Sequence, residues 1–171
     1  MTIYDAWTAL LRRLLHAPQH RVAPRGQQTL ERLGESFTFD LRANILVSPT
    51  RNLNHRYMVA EWLWIAFGRE DAATIARYNA KMQGFSDDGV TLAGAYGPRL
   101  APQWPYVIET LRRDPSSRQA VAVIWRPSPA SSKDIPCTIA LQFLLRDGRL
   151  HAIATMRSSD AWLGIPYDCY T

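Results

Sequence analysis

The sequence predicts an α+β fold in which helices cover one face of a large mixed β-sheet and a second subunit packs against the other face. Apolar residues recur with helical spacing at 3 to 17 and 103 to 114, and nearly continuous apolar runs at 119 to 125 and 139 to 145 indicate buried strands. Strands this apolar do not leave a face in water. With 171 residues, 47% of them hydrophobic, we expect one domain spanning residues 1–171.

The first third of the chain is predicted to hold two helices separated by loops and short strands. A loop containing Pro and Gly follows the opening helix at 18 to 28, and strand-like pieces continue as far as 37-FTFDL-41. The second helix runs from about Asn54 to Phe67 and ends at Gly68, a residue type common after helix C-termini. The apolar face of the opening helix consists of Ile3, Trp7, Leu10, Leu11 and Leu14.

The rest of the chain is predicted to alternate helices, turns and strands. A helix at 71 to 82, a polar loop at 84 to 89 and a turn at 94 to 98 come first. Asp114 precedes a proline and therefore ends the helix at 103 to 114. A Pro- and Ser-rich loop at 127 to 134 joins the two apolar strands. The Asp-Gly of 146-RDGR-149 predicts a tight hairpin to an antiparallel strand at 150 to 156.

Composition excludes several classes of protein. No window approaches the ~20 apolar residues of a membrane-spanning helix, and the N-terminus lacks the order of a secretory signal, so we expect a cytoplasmic protein. Cys137 and Cys169 are too few for a disulfide scaffold and lack zinc-ligand spacing, so no metal is expected. The net charge of +5 comes mainly from scattered arginines, which suit a nucleotide phosphate better than a nucleic-acid polymer.

Two side chains are candidates for chemistry from residue type and position. Cys137, at the entrance of a predicted strand, is either a small buried hydrophobe or a nucleophile whose thiolate the abundant arginines favour. Glu61 lies in an otherwise apolar helix, so it either faces water or is a buried, paired acid with a function. The residues alone leave both alternatives open.

The segment 156-MRSSDAWLGIPYD-168 carries more polar groups than a strand that only fills a core. Arg157 beside Ser158 suits an anion, although an arginine at a strand end is ordinarily solvated. Asp160 and Asp168 are either functional carboxylates or caps of the local turn. Arg25, in a Pro-Arg-Gly loop, is by default a surface residue.

Taken in order, these residues resemble the thymidylate synthase and deoxycytidylate hydroxymethylase superfamily from about residue 22 to the end. The motifs that carry the resemblance are 61-EWLW-64, 94-GAYG-97, 114-DPSSRQAV-121, 136-PC-137 with 142-QF-143, 147-DGRL-150 and 157-RSSDAWLGIPYD-168. The last is long and specific, and it is closest to the hydroxymethylase branch. The resemblance implies a thymidylate synthase-like fold, a homodimer, and a family domain that continues beyond Thr171.

The resemblance also assigns roles to individual residues. Cys137 is the nucleophile that adds to C6 of a pyrimidine, Glu61 organises proton transfers and water, and Tyr96 belongs to the same catalytic set. The implied phosphate ligands are Arg25, Arg118, Arg157 and Ser158, with Arg118 lent to the partner's nucleotide across the dimer. The implied base-side residues are Gln142 and Asp168. Those on the side of the one-carbon donor, methylenetetrahydrofolate, are Trp64, Asp160 and Gly164.

Asp168 stands where thymidylate synthases carry asparagine. The asparagine amide donates to uracil O4 and accepts from uracil N3–H, whereas a carboxylate only accepts and so complements the 4-amino group of cytosine. A carboxylate also stabilises a proton on N3 as charge develops. The implied reaction is therefore C5 hydroxymethylation of dCMP or CMP, in which water adds to an exocyclic methylene.

Two departures from the synthases support the same branch, and two alternatives stand beside it. Thr138 replaces a histidine after the catalytic cysteine, and Gln119 replaces a second arginine after Arg118. One alternative is a dUMP-using thymidylate synthase or dUMP hydroxymethylase. The other, from a different class, is a catalytically incomplete nucleotide-binding remnant. Hydroxymethylases of this kind serve phage DNA modification or nucleoside antibiotic pathways.

Overall fold

The computed structural model describes residues 1–127 and 130–171 and combines helices with antiparallel sheets, which confirms the α+β class. The loop predicted at 127 to 134 includes residues 128 and 129, which lie outside the described residues. The helices are α1 (Ile3–His16), α2 (His55–Ala66), α3 (Ala72–Ala76), α4 (Gly97–Leu100), α5 (Trp104–Arg113) and α6 (Ile165–Asp168). The strands are β1 (His20–Val22), β2 (Thr29–Glu31), β3 (Val121–Val123), β4 (Thr138–Arg146) and β5 (Arg149–Met156).

The described residues form two compact units. The first consists of Met1–Asn54 with Asp160–Thr171, and the second of His55–Ser159. This division was not predicted, because no linker-like composition separates the two parts of the chain.

The first unit is organised around α1. Thr2 and Asp5 form a reciprocal capping box that satisfies backbone N–H groups at the helix start. The helix buries Ile3, Ala6, Trp7 and Leu10, largely the face predicted from its periodicity. Trp7 also anchors the C-terminal segment, since its indole N–H donates to the Ala161 carbonyl at 2.6 Å and its ring stacks on Trp162 at 5.5 Å.

The strand-like piece predicted at 37 to 41 was wrong. Residues 37–40 have no regular structure, and a 3-10 helix follows at Leu41–Ala43. The Asp40 carboxylate accepts from the Arg42 backbone N–H at 2.9 Å, and such local side-chain bonds favour a turn over a strand. The two short strands of this unit lie earlier, where β1 and β2 pair antiparallel.

The helix predicted at 71 to 82 is interrupted. It forms α3 and then, after a break, a 3-10 helix at Ala80–Phe85. Asn79 causes the break, because its backbone is extended and its side-chain oxygen accepts from the Lys81 N–H at 3.3 Å, as an N-cap does. The helix predicted at 103 to 114 is confirmed as α5, with Asp114 extended before its proline.

The sheet of the second unit has the order β3-β4-β5 and is antiparallel throughout. The predicted hairpin is confirmed, since Arg146 pairs with Arg149 and the two residues between them, Asp147 and Gly148, have φ of 50° and 69°. Both values suit a type I′ turn. Of the large mixed sheet that the resemblance implies, the described residues contain these three antiparallel strands.

One face of this sheet is covered by helices and forms the core of the unit. Leu141 and Phe143 pack on a cluster of buried residues to which α4 and α5 contribute, namely Leu100, Val107, Ala120, Ala122 and Ile124. Residues directly opposite in register share a face, so Gln142, Val121 and Ile153 lie on the other side. That side is open in the single chain, where Val123 is 48% and Ile153 49% exposed. Burial of this second face against a second subunit stays a prediction.

Candidate active site

The β4–β5 hairpin places Cys137 beside Arg157. Thr138, the first residue of β4, is opposite Met156, the last of β5, and the next backbone pair continues the ladder with Arg157 N donating to Cys137 O at 2.9 Å. Cys137 is half-buried. The Asp-Gly turn sets the register of the hairpin as far as Ala140, and a β-bulge between Thr138 and Ala140 then shifts it by one residue, which brings Cys137 opposite Arg157.

The guanidinium of Arg157 lies against the thiol. Its Nη2 is 3.9 Å from Cys137 Sγ, Nε donates to the Pro136 carbonyl at 2.9 Å, and Nη2 also donates to the Ile135 carbonyl at 3.1 Å. The ring of Trp125 lies beneath it, with Cζ 5.6 Å from the ring centroid. A fixed cation next to a cysteine favours the thiolate, the form that attacks carbon.

The second cysteine has the opposite environment. Burial, and then the neighbouring Asp168 carboxylate, raise the pKa of Cys169 to about 12. At neutral pH this thiol stays protonated and is a poor nucleophile. Of the two cysteines, Cys137 is therefore the one suited to nucleophilic chemistry.

Tyr96 reaches the same place from the start of α4. Its hydroxyl accepts from the Thr138 backbone N–H at 3.2 Å, so the phenol lies one residue from Cys137 along β4. The second unit therefore brings together three residues that the resemblance assigned to the site: Cys137, Arg157 and Tyr96. Ser158 follows Arg157 directly and is exposed.

Glu61 is a paired acid. It lies half-buried on α2 and accepts a hydrogen bond from the Tyr57 hydroxyl, one helical turn earlier, which also contacts Met82 Sδ at 3.4 Å. The bond from Tyr57 orients the Glu61 carboxylate within the unit, which favours a paired acid over one that simply faces water. Trp64 on the same helix is only 6% exposed and donates its indole N–H to the Asp71 carbonyl at 3.1 Å.

Gln142 and Arg118 are neighbours. The Gln142 side-chain amide donates to the Arg118 backbone carbonyl at 2.9 Å, which ties the loop after α5 to the open face of the sheet. The Arg118 residue is exposed. The Arg118 backbone therefore lies beside the open face of the sheet.

The other four predicted site residues belong to the first unit. Asp160 is exposed and accepts from the backbone N–H groups of Trp162 and Leu163 at 2.8 and 2.7 Å, so it does cap the turn, as the alternative interpretation proposed. A β-carbon on Gly164 would lie 3.1 Å from Asp168 Oδ2 and 3.2 Å from the Asp160 carbonyl, so a side chain at this position would require its neighbours to shift slightly. Asp168, the last residue of α6, and Arg25, at φ 53°, are both exposed.

Three neighbours of the site were not found from the sequence: Tyr57, Trp125 and Asp134. Tyr57 carried a usable signal, because it lies four residues before Glu61 on the same helix. Trp125 and Asp134 carried none, since each reaches the site through tertiary contacts only.

Within residues 1–127 and 130–171, no cluster of His, Cys, Asp or Glu side chains has the arrangement of a metal site. Over the same described ranges, every helix is too short or too polar to cross a bilayer.

Comparison with known proteins identifies a family and many relatives, of which two are described here. The family model described as thymidylate synthase matches residues 5–171. The chain is 40% identical over 133 residues to a protein of Bacillus phage SP01 named deoxyuridylate hydroxymethyltransferase, a match covering 67% of this chain and 35% of that protein. It is 34% identical over 125 residues to a protein of the same name from Pseudomonas phage M6, covering 68% of this chain and 36% of that protein. The chain thus spans about a third of the length of these relatives.

Proposed function

Because this chain belongs to the thymidylate synthase family, we propose that it transfers a one-carbon unit, as a hydroxymethyl group, to C5 of a pyrimidine nucleotide. The observation that carries the proposal is the Arg157 guanidinium 3.9 Å from the Cys137 thiol, next to the Tyr96 hydroxyl. The names of the two phage relatives support hydroxymethyl rather than methyl transfer. Their phage origin also favours phage DNA modification as the setting.

The chemistry begins at Cys137. Its thiolate, favoured by Arg157, adds to C6 of the pyrimidine, and the electron pair of the C5–C6 bond makes C5 a carbon nucleophile. C5 takes up the one-carbon unit, which methylenetetrahydrofolate would supply. Loss of the C5 proton and departure of tetrahydrofolate would then leave an exocyclic methylene on the ring. Water then adds to the exocyclic methylene, and release of the thiolate from C6 restores the ring. Glu61, oriented by Tyr57, and the Tyr96 hydroxyl are the groups that we assign to the proton transfers.

The nucleotide phosphate requires cations and hydroxyl groups. Arg157 and Ser158 directly follow β5, and both are exposed. Arg25, an exposed arginine of the first unit, stays a phosphate ligand expected from the family resemblance. Arg118 is assigned to the nucleotide of a second subunit, because it lies at the edge of the open sheet face. The Gln142 side chain donates a hydrogen bond to the Arg118 carbonyl. We keep Gln142 among the residues proposed to face the base, as the family resemblance implies.

The three residues assigned to the folate side differ in how well they suit that role. Asp160 offers an exposed carboxylate whose orientation is fixed by two backbone N–H groups, and Gly164 keeps the adjoining turn tight. Trp64 is buried with its N–H engaged, so we assign it to packing of α2 and propose Asp160 as the folate contact.

The base is proposed to be cytosine. Asp168 is exposed and offers only hydrogen-bond acceptors, which match the 4-amino group of cytosine and a proton on N3. Uracil presents O4 at the same position, and acceptor would face acceptor.

A second candidate is deoxyuridylate. It is supported by the names of both relatives, which are deoxyuridylate hydroxymethyltransferases. The two candidates share every step of the chemistry and differ only in the base that Asp168 meets.

The test is a product assay with methylenetetrahydrofolate and each of dCMP, CMP and dUMP, analysed by mass spectrometry. Hydroxymethyl transfer adds CH2O to the nucleotide, whereas methyl transfer adds CH2, so product mass separates the two reactions. Product from dCMP or CMP supports the first candidate, and product from dUMP alone supports the second. Nucleotide binding without product from any of the three would leave the nucleotide-binding remnant as the correct description.

A further inference from the structure

The segment that presents the nucleophile is held by a second segment of the same unit. Residues 132–138 run alongside residues 87–96 and contact them at three points. At the outer end, Asp87 accepts from Ser132 Oγ at 2.5 Å and from Lys133 N at 3.2 Å. In the middle, Gly94 N donates to Asp134 Oδ2 at 2.7 Å. At the inner end lies the Thr138-to-Tyr96 bond. The last two contacts flank Cys137.

The middle contact is close enough to require a glycine. A β-carbon on Gly94 would lie 2.6 Å from the Asp134 carbonyl oxygen and 2.9 Å from its carboxyl Cγ and Oδ1. Real β-carbons do not approach atoms this closely, so any side chain at 94 forces the two segments apart. The close contact therefore depends both on the Asp134 carboxyl and on the absence of a side chain at Gly94.

Residues 87–96, which Asp134 contacts through Gly94, are themselves held in place. Arg99 donates to the Ala93 carbonyl at 2.6 Å and to the Ile124 carbonyl at 2.7 Å, which ties the turn before α4 to the strand region of the sheet. Asp134 is half-buried, and burial raises the pKa of its carboxyl above the ordinary value, opposed by the Gly94 N–H and by Arg99. Burying this carboxyl costs desolvation energy, and one of its oxygens points at the Gly94 N–H. Its role is therefore to fix the position of the Gly94 backbone rather than to place a charge on the surface.

We propose that Asp134 is a positioning residue that holds Cys137 against Arg157 and Tyr96 by bonding the Gly94 backbone. This inference rests on the proposed function for the role of Cys137 as nucleophile. Arg157 contacts Cys137 and the carbonyls of Ile135 and Pro136, all within three residues of Asp134. A shift of segment 132–138 by a fraction of an ångström changes the distance between thiol and guanidinium. Misplacement of about 1 Å can cost about 100-fold in rate.

The test compares Asp134→Ala with Asp134→Asn, which keeps an oxygen acceptor for Gly94 N–H. Alkylation of Cys137 by iodoacetamide is followed across pH by mass spectrometry of its peptide, without nucleotide. In Asp134→Ala we expect about 3- to 10-fold slower alkylation at pH 7, with the rise in rate moved to higher pH, because the thiolate loses its cation. In the product assay we expect kcat about 10- to 100-fold lower with KM little changed. Asp134→Asn should restore most of both values.

Two further variants make the result specific. Gly94→Ala should reproduce the loss in Cys137 alkylation by steric separation while keeping the carboxyl. Asp5→Ala removes a comparable bond from a backbone N–H to a carboxylate, at Thr2 in the first unit, and should leave Cys137 alkylation unchanged. Equal alkylation profiles for parent and Asp134→Ala, or an Asn variant as impaired as the Ala variant, would overturn the proposal. If the parent yields no product but the alkylation differences persist, the proposed function fails and the positioning role stands.

Discussion

At the scale of single residues, Arg157, which directly follows β5, has two proposed roles: to favour the Cys137 thiolate and to bind the nucleotide phosphate. Arg157 is fixed by two backbone carbonyls and by the Trp125 ring, so its charge is held beside Cys137 before any nucleotide arrives. A guanidinium has five N–H donors, which leaves some of them for a phosphate. One side chain can thus favour the thiolate and contact the substrate.

Asp168 carries the most specific prediction at this scale. Replacing Asp168 by asparagine should shift the preference from dCMP toward dUMP, because the amide donates to O4 and accepts from N3–H whereas the carboxylate only accepts. Unsatisfied hydrogen-bonding groups cost about 1–3 kcal/mol, so the ratio of the two affinities should change at least several-fold. Calorimetric titration of parent and variant with both nucleotides measures it. A ratio untouched by the substitution removes the argument for cytosine and leaves deoxyuridylate as the better candidate.

How much of the site the sequence predicts depends on how each residue reaches it. Cys137 and Arg157 were singled out because both lie in the long motifs that carry the family resemblance, and the structure places the two side chains next to each other. The functions of Asp134 and Trp125 were not, since both act through contacts with segments distant in the chain. Asp160 shows the converse, since its capping bonds were foreseen from local turn chemistry.

At the scale of elements, a close approach of two helices depends on a glycine. A β-carbon on Gly97, at the start of α4, would lie 2.8 Å from the Gly68 Cα and 2.8 Å from the Ile65 carbonyl, both backbone atoms at the end of α2. We expect Gly97→Ala to lower the free energy of unfolding by about 1–3 kcal/mol. Gly84→Ala is the matched control, because its β-carbon enters open space. Urea unfolding measures both, and equal midpoints for the two variants would show that the helices yield without cost.

The cap of α3 predicts a pH dependence. Asp71 accepts from the Thr74 N–H, and its hydrogen bond with Arg69 is the main cause that holds the pKa of Asp71 well below its ordinary value. A carboxyl with a lowered folded pKa contributes stability that is present above the unfolded pKa, near pH 4, and is lost as pH falls. Asp71→Ala should therefore cost about 1 kcal/mol at pH 7 and progressively less below about pH 4.

The control for this effect is Asp71→Asn, which keeps a capping oxygen without a charge. Its free energy of unfolding relative to the alanine variant should not vary over the same pH range. Denaturant unfolding at several pH values checks both curves. A cost for Asp71→Ala that stays constant down to pH 2 would mean that the carboxylate charge contributes nothing.

Elements were predicted well where periodicity is long and less well where side chains bond locally. The helices α1, α2 and α5 and the β4–β5 hairpin are at or within a few residues of their predicted bounds. The strand-like piece at 37 to 41 and the uninterrupted helix at 71 to 82 failed, because Asp40 and Asn79 bond neighbouring backbone N–H groups and stop regular structure. Helix and strand propensities alone do not account for such side-chain bonds to the backbone.

At the scale of the whole molecule, the open face of the sheet is where we expect a partner to pack. Gln142, Val121 and Ile153 share this face, and apolar side chains on it, Val123 and Ile153, are about half exposed. A second copy of the chain is the occupant that the family resemblance implies, with Arg118 at its edge. Ile153→Lys places a charge on this face and should convert a dimer to monomers in sedimentation experiments at micromolar concentration.

The control substitution for the dimer is Val90→Lys, at an exposed apolar position outside the sheet (64% exposed, against 49% for Ile153). It should leave the sedimentation coefficient unchanged. A parent protein that sediments as a monomer would contradict the dimer and deprive Arg118 of its role across subunits.

The most direct test of the central claim, that Cys137 attacks C6 of a pyrimidine nucleotide, is a covalent trap. Fluorine at C5 cannot leave as a proton does, so 5-fluoro-dCMP and 5-fluoro-dUMP with methylenetetrahydrofolate should stop the reaction at the adduct. Intact-mass and peptide analysis should find nucleotide and one-carbon donor on Cys137, formed faster with the cytosine analogue, and no adduct in Cys137→Ser, whose hydroxyl is not ionised at neutral pH. A folded parent protein that forms no adduct with either analogue, or an adduct that persists in Cys137→Ser, would contradict the account.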